Sequence, residues 1–198
     1  MSRVVAVAWL AGGLIGSAVA GELHDAVENG DLAAVKVSLA DGADVDERGP
    51  NAETALMAAA LANQVEIARL LLVHGADVQA RNAGGLTALH AAAYAGSVPV
   101  AALLLDRGAR LEGNDNKAGV TPLLVAAEQG HPALVELLIA RGAAVSAPER
   151  DGYTPLTRAL WKGHHEVMGV LKKHGATCQP ADILGGDALY QECLATGN

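Results

Sequence analysis

The chain has 198 residues, 14 of them basic and 22 acidic, for a formal net charge of −8. Apolar residues make up 51% of it, yet aromatics are only 3%, phenylalanine is absent and alanine occurs 41 times. The apolar content excludes wholesale disorder. The acid excess excludes a surface devoted to nucleic-acid phosphates or anionic lipid, which needs clustered Lys and Arg. A core so poor in rings must close-pack small aliphatic groups, which suits helices in tight approach.

Residues 1–20 read as an export signal. Arg3 supplies one positive charge, Val4 to Ala20 carry none, and Ala18-Val19-Ala20 precedes Gly21. A short basic start, an apolar middle and an A-x-A exit are the parts of a secretory signal peptide. The competing reading is a membrane anchor, for which 17 residues containing Gly12, Gly13 and Gly16 are marginal. Cleavage after Ala20 is favoured. Removing those 20 residues from 198 leaves 178, and losing Arg3 takes the net charge from −8 to −9. No Cys follows the run and no Arg pair precedes it, so neither a lipoprotein anchor nor twin-arginine export is expected. With no second apolar stretch of spanning length, the expected location is the periplasm, without a membrane span after cleavage.

A Gly-Ala pair then recurs at Gly42, Gly75, Gly108, Gly142 and Gly175, with spacings of 33, 33, 34 and 33. Twenty-one residues before each of the last four glycines stands a threonine: Thr54, Thr87, Thr121 and Thr154. The unit is clearest in its third copy. Thr87 to Ala93 starts a short helix that Gly96 ends. Val98 to Asp106 form a second helix, with Val100, Leu103 and Leu104 on one face, which Gly108 stops. A glycine there can take the left-handed conformation that closes a helix. Neither helix is long enough to stand alone. Each must lay its apolar stripe on the next copy, which makes an all-α solenoid. The copies fall at about 21–53, 54–86, 87–120, 121–153 and 154–177. The first opens with the polar Glu22, His24, Asp25 and Glu28, as an outer face requires. Residues 178–198 form a C-terminal cap in which Ile183, Leu184, Leu189 and Leu194 are expected to cover the last copy.

Thr121-Pro122-Leu123, Thr154-Pro155-Leu156 and Thr87-Ala88-Leu89-His90 resemble the TPLH signature of ankyrin repeats. Leu70 to Val78 and Leu137 to Ala143 are similar to that family's LLLxxGAD ending, and Gly130-His131 and Gly163-His164 to its inter-helix turn. The resemblance covers residues 22 to about 177. It implies helix–turn–helix units with projecting finger loops, stacked in a curved array. Met57 and Leu124 depart from the His of TPLH, Asn63-Gln64 from Gly-His, and one extra residue between Gly108 and Thr121 is expected to lengthen a finger.

Six of the seven histidines fall in repeat-encoded slots, which the resemblance assigns to backbone hydrogen bonding and helix ends: His24, His90, His131, His164, His74 and His174. His164-His165-Glu166 is too compact for a common zinc spacing. No G-x-S-x-G, Gly-rich phosphate loop or H-E-x-x-H occurs. Neither catalysis, a metal nor a cofactor is expected. Cys178 and Cys193, both after the fifth copy, are expected to pair in an oxidising compartment and staple the cap. The alternative is a thiol/disulfide redox protein. It lacks C-x-x-C, and Asp182, Asp187 and Glu192 surround the pair where a reactive thiol wants a cation.

The rings fall elsewhere. Tyr94 and Trp161 share one slot two copies apart, which the resemblance places at the groove end of the inner helix. Tyr153 stands at a finger base. In line, the groove slots are Glu28-Asn29, Leu61-Ala62, Tyr94-Ala95, Glu128-Gln129 and Trp161-Lys162. The fingers carry Arg48, Asn51, Glu53, Arg81, Leu86, Lys117, Val120, Arg150 and Tyr153. An apolar, aromatic middle with a polar rim is the make-up of a protein-binding patch, and suits neither a small-molecule cavity nor a nucleic-acid track. The expected partner is another protein, either an exported enzyme that is helped or an incoming toxin that is blocked, bound by a monomer. Tyr94, Tyr153, Trp161 and Leu61 would supply contact area. Arg81, Glu128, Gln129, Arg150 and Lys162 would set register.

Overall fold

A computed structural model describes residues 21–196 of the chain. The signal-peptide reading concerns residues 1–20 and lies outside the described residues. All regular structure among the described residues is helical. Five antiparallel pairs follow one another: α1 (21–28) with α2 (Leu32–Ala40), α3 (Ala55–Leu61) with α4 (Val65–Val73), α5 (Ala88–Ala95) with α6 (Val98–Asp106), α7 (Pro122–Gln129) with α8 (Pro132–Ala140), and α9 (Pro155–Trp161) with α10 (His165–Lys173). Two short helices close the chain, α11 (Ala181–Leu184) and α12 (Asp187–Ala195).

The threonines start the inner helices for a local reason. Each leaves an extended residue just before the first turn, where a side-chain oxygen can take an orphan N–H. Thr54 Oγ1 accepts from Met57 N–H at 3.3 Å, and Thr121 Oγ1 from Leu124 N–H at 3.2 Å. Pro122 and Pro155 then sit at a first position that needs no N–H. Alanine sets how closely the inner helices approach. Ala59, Ala60, Ala92, Ala93, Ala126, Ala127 and Ala159 are all fully buried between them. The outer helices supply bulk instead, and Leu71, Leu104, Leu138 and Leu171 stack in one fully buried column. Truncating any of these leucines would cost about 2–5 kcal/mol.

The fingers are joined by single backbone bonds. Ala83 N–H donates to Asn51 O at 2.8 Å, Lys117 N–H to Gly84 O at 3.2 Å, and Arg150 N–H to Ala118 O at 3.2 Å. The extra residue in the third finger precedes Asn116, whose buried amide holds that loop through Gly113 O at 2.7 Å and Val120 O at 2.6 Å.

The cap differs in part from the sequence expectation. Leu184 is buried and Leu189 is half-buried, but Ile183 and Leu194 remain exposed. Polar groups do what those side chains were expected to do. Gln179 Oε1 accepts from Thr154 N–H at 3.2 Å and from the Thr157 hydroxyl, and its amide donates to Gly152 O at 2.9 Å. Cys178 and Cys193 are bridged, and Lys172 Nζ donates to Cys193 O and Thr196 O at the end of α12. Only one of the four named apolar side chains, Leu184, is fully inserted.

Candidate functional site

The concave side begins with the histidine slots. His131 Nε2–H donates to Tyr94 O at 3.0 Å and His164 Nε2–H to Glu128 O at 3.0 Å; in the second copy Gln64 donates to Val27 O at 2.8 Å. Each bond ties an outer-helix start to the inner-helix end of the copy before. It therefore fixes the groove-facing residue at that inner-helix end. His90 ties the inner helix to the next finger. A carbonyl only accepts, so the 3.1 Å contact with Val120 O puts the proton on Nε2. Nδ1 is then an acceptor, for Thr87 N–H at 3.2 Å and the Thr87 hydroxyl at 3.0 Å. Burial holds the His90 imidazole below its ordinary pKa, opposed by the bond to Val120.

Between these ties lies a trough of about 390 Å³. Its floor includes Leu61, Tyr94 and Val125 of α3, α5 and α7, and Leu86 and Val120 of the fingers stand against it. Leu61 and Tyr94 are 51% and 57% exposed. Glu53, Glu128 and Gln129 supply polar edges. Four of the nine residues picked from sequence thus meet here: Leu61, Tyr94, Glu128 and Gln129. The trough opens along its length.

The other five lie apart from it. Tyr153 and Trp161 meet edge to face, with ring centroids 4.6 Å apart. The Arg158 guanidinium lies 5.5 Å from the first ring centroid and 5.8 Å from the second. It also pairs with the buried Glu149 and approaches Glu128 at 3.8 Å, while Lys162 approaches the same Glu128 at 3.6 Å. Trp161 Nε1–H donates to Leu184 O at 2.9 Å, so this ring is tied to the cap. Arg81 pairs with Asp115, and Arg150 stands exposed on its finger. Sequence reading missed Arg158. Its signal was available in the column Asp25, Ala58, Ala91, Val125, Arg158, where the last copy alone is basic.

Each site residue is thus positioned by a unit of helix, turn, helix and finger that is itself repeated, and the sequence match has the same extent. The ankyrin-repeat family model matches residues 23–115 and 110–182. The chain belongs to the ankyrin-repeat family. No curated protein matches it. Ankyrin repeats generally mediate protein–protein interaction and are typically non-catalytic. Among the described residues, no helix is long and apolar enough to cross a membrane, and no three His, Cys, Asp or Glu side chains form a metal-binding group. In this ankyrin-repeat chain the cysteine pair is a bridge with Cys193 buried, and the nearby Lys172 ammonium serves main-chain carbonyls.

Proposed function

We propose that this ankyrin-repeat protein is exported to the periplasm and there binds another protein, without catalysis, in the trough between α3, α5 and α7. The observation that carries this reading is the pair Leu61 and Tyr94, more than half exposed in the floor of a trough that the fold has already formed. Solvated apolar area of this kind gains free energy when a partner covers it, and aromatic anchors with polar rims dominate such interfaces. Export is supported by the pattern of residues 1–20 and by a bridged cysteine pair, which persists in oxidising compartments. The thiol/disulfide alternative draws less support, because Cys193 is buried and Cys178 half-buried, and the nearby Lys172 ammonium is bonded to main-chain carbonyls.

The partner is an exported enzyme that is stabilised or an incoming toxin that is blocked. Residues 21–198 are used as bait in a periplasmic extract, beside Leu61→Ala/Tyr94→Ala. Each single change is expected to leave stability within about 1 kcal/mol and to weaken capture by about 2 kcal/mol. A protein retained equally by both baits refutes the trough as the site. Activity of the captured enzyme that is kept or raised marks a helper; activity that is abolished marks an antidote.

A further inference from the structure

The charges around the trough follow an order along it. At one end Glu28, on the last turn of α1, and Glu53, on the trough wall, are both exposed, and neither carboxylate is in an ion pair among the described residues. Of the cations nearby, Arg81 pairs with Asp115, while Arg48, exposed and bonded to the carbonyls of Ala52 and Arg81, keeps its charge but is outnumbered by these two carboxylates. The middle is apolar. At the other end Lys117 and Arg150 occupy equivalent positions on successive fingers, both exposed. Arg150 makes one 3.4 Å bond to Asn116 O, and Lys162 is 52% exposed beside Glu128. Acids at that end are mostly engaged, Glu128 and Glu149 with Arg158 and Asp115 with Arg81; Asp151 stands exposed beside Arg150. The charge left to meet a partner is therefore negative at the first end and positive at the second.

The dimensions constrain what bridges them. The first and fourth fingers are three repeat steps apart, roughly 24–30 Å at the usual spacing of packed helices. About eight residues of extended chain cover that distance. A helix would need about 16–20 residues for the same reach; the trough, about 390 Å³ and open along its length, takes side chains from a segment laid over it. Resting on the protein-binding reading above, we infer that the partner presents an extended segment of about eight residues. It carries Lys or Arg at one end, one or two bulky apolar side chains at its centre, and Asp or Glu at the other end. The acid-to-base order of the groove fixes the direction in which that segment lies.

The test uses three synthetic nine-residue peptides with one shared centre, Leu-Phe-Leu between glycines. One has a Lys pair at one end and a Glu pair at the other, one has Lys pairs at both, and one has Glu pairs at both. Binding to the purified protein is read by fluorescence anisotropy. The mixed peptide is expected to bind about tenfold more tightly than either of the others at about 50 mM salt, and the gap to shrink at about 500 mM. Glu28→Lys/Glu53→Lys moves the preference to the all-Glu peptide, and Lys117→Glu/Arg150→Glu to the all-Lys peptide. Equal affinity of the three, preferences indifferent to these exchanges, or no binding of any up to about 1 mM overturns the ordered-charge inference. Leu61→Ser/Tyr94→Ala separates the two claims. Binding that keeps its charge preference but survives this change refutes the trough. Binding lost with it, but blind to charge order, keeps the trough and refutes the inference.

Discussion

Gly96→Ala tests how the groove is held in register. Gly96 has φ +71°, and an added Cβ would lie 2.6 Å from the His131 ring, the side chain that bonds Tyr94 O. The substitution therefore has two costs. A left-handed residue with a Cβ costs about 1–2 kcal/mol. Displacing the imidazole loses a hydrogen bond of about 1 kcal/mol, for about 2–3 kcal/mol in all. Gly163 provides the control, because it has the same φ of +71° and nothing within 4 Å of the added Cβ. Gly163→Ala carries the backbone cost alone, about 1–2 kcal/mol. Thermal and urea unfolding followed by circular dichroism should place Gly96→Ala lower by about 2–4 °C per kcal/mol of difference. The chain already contains the compensated form. Asn63 occupies the same slot at φ +55°, and the next copy carries Ser97 where His131 and His164 stand, with the Ser97 hydroxyl bonded to Asn63 Oδ1. Gly96→Asn/His131→Ser is expected to recover part of the loss relative to Gly96→Asn alone. Equal destabilisation of Gly96→Ala and Gly163→Ala would refute the steric role given to the His131 ring.

His90 predicts a pH dependence. Its neutral Nε2–H form is the one that satisfies both Thr87 and Val120, and burial lowers its folded pKa while Arg81 lowers it and Asp115 raises it by smaller amounts. The unfolded chain takes the proton first, so this contribution is complete above about pH 6.5 and is lost as pH falls towards the folded value. The stability difference between wild type and His90→Gln is expected to narrow from pH 7.5 to 5; parallel curves would refute it. Cys178→Ser/Cys193→Ser is expected to cost the cap about 3 kcal/mol, by the loop-entropy estimate for such a link. Hydrogen exchange should accelerate in α11 and α12 and leave α5 unchanged; unchanged exchange in the cap would show that the bridge is dispensable. Trp161→Ala is expected to destabilise more than Tyr94→Ala, since it removes the bond to Leu184 O and the contact with Tyr153; equal unfolding midpoints would contradict this.

The five-fold repeat was legible because it rests on local chemistry. Thr54, Thr121 and Thr154 cap with their own oxygens, glycines take left-handed angles that other residues resist, and an apolar stripe on a short helix has no use except against another copy. The groove slots were legible for the same reason: a slot in one copy predicts the slot in the next. Leu61, Tyr94, Glu128 and Gln129 therefore came together as the spacing implied. The fate of Trp161 was hidden. Its slot is the same as that of Tyr94, yet among the described residues it is residues 178–196, not a further repeat, that fold back to engage it.

The sequence by itself determined the helix pairs, their order and the groove face, since each follows from contacts within one unit or between neighbours at a fixed interval. Tertiary structure alone decided which groove charges remain unspent. Arg81, Glu128 and Lys162 look alike as surface charges in the sequence, but the fold brings Asp115 to the first and Arg158 to the second, and leaves Lys162 half in solvent. It also decided that Asn63 and Ser97, 34 residues apart, form one compensated pair. An ion pair or a hydrogen bond depends on a few ångströms of separation between side chains. A repeat interval specifies which copies are neighbours without specifying those distances.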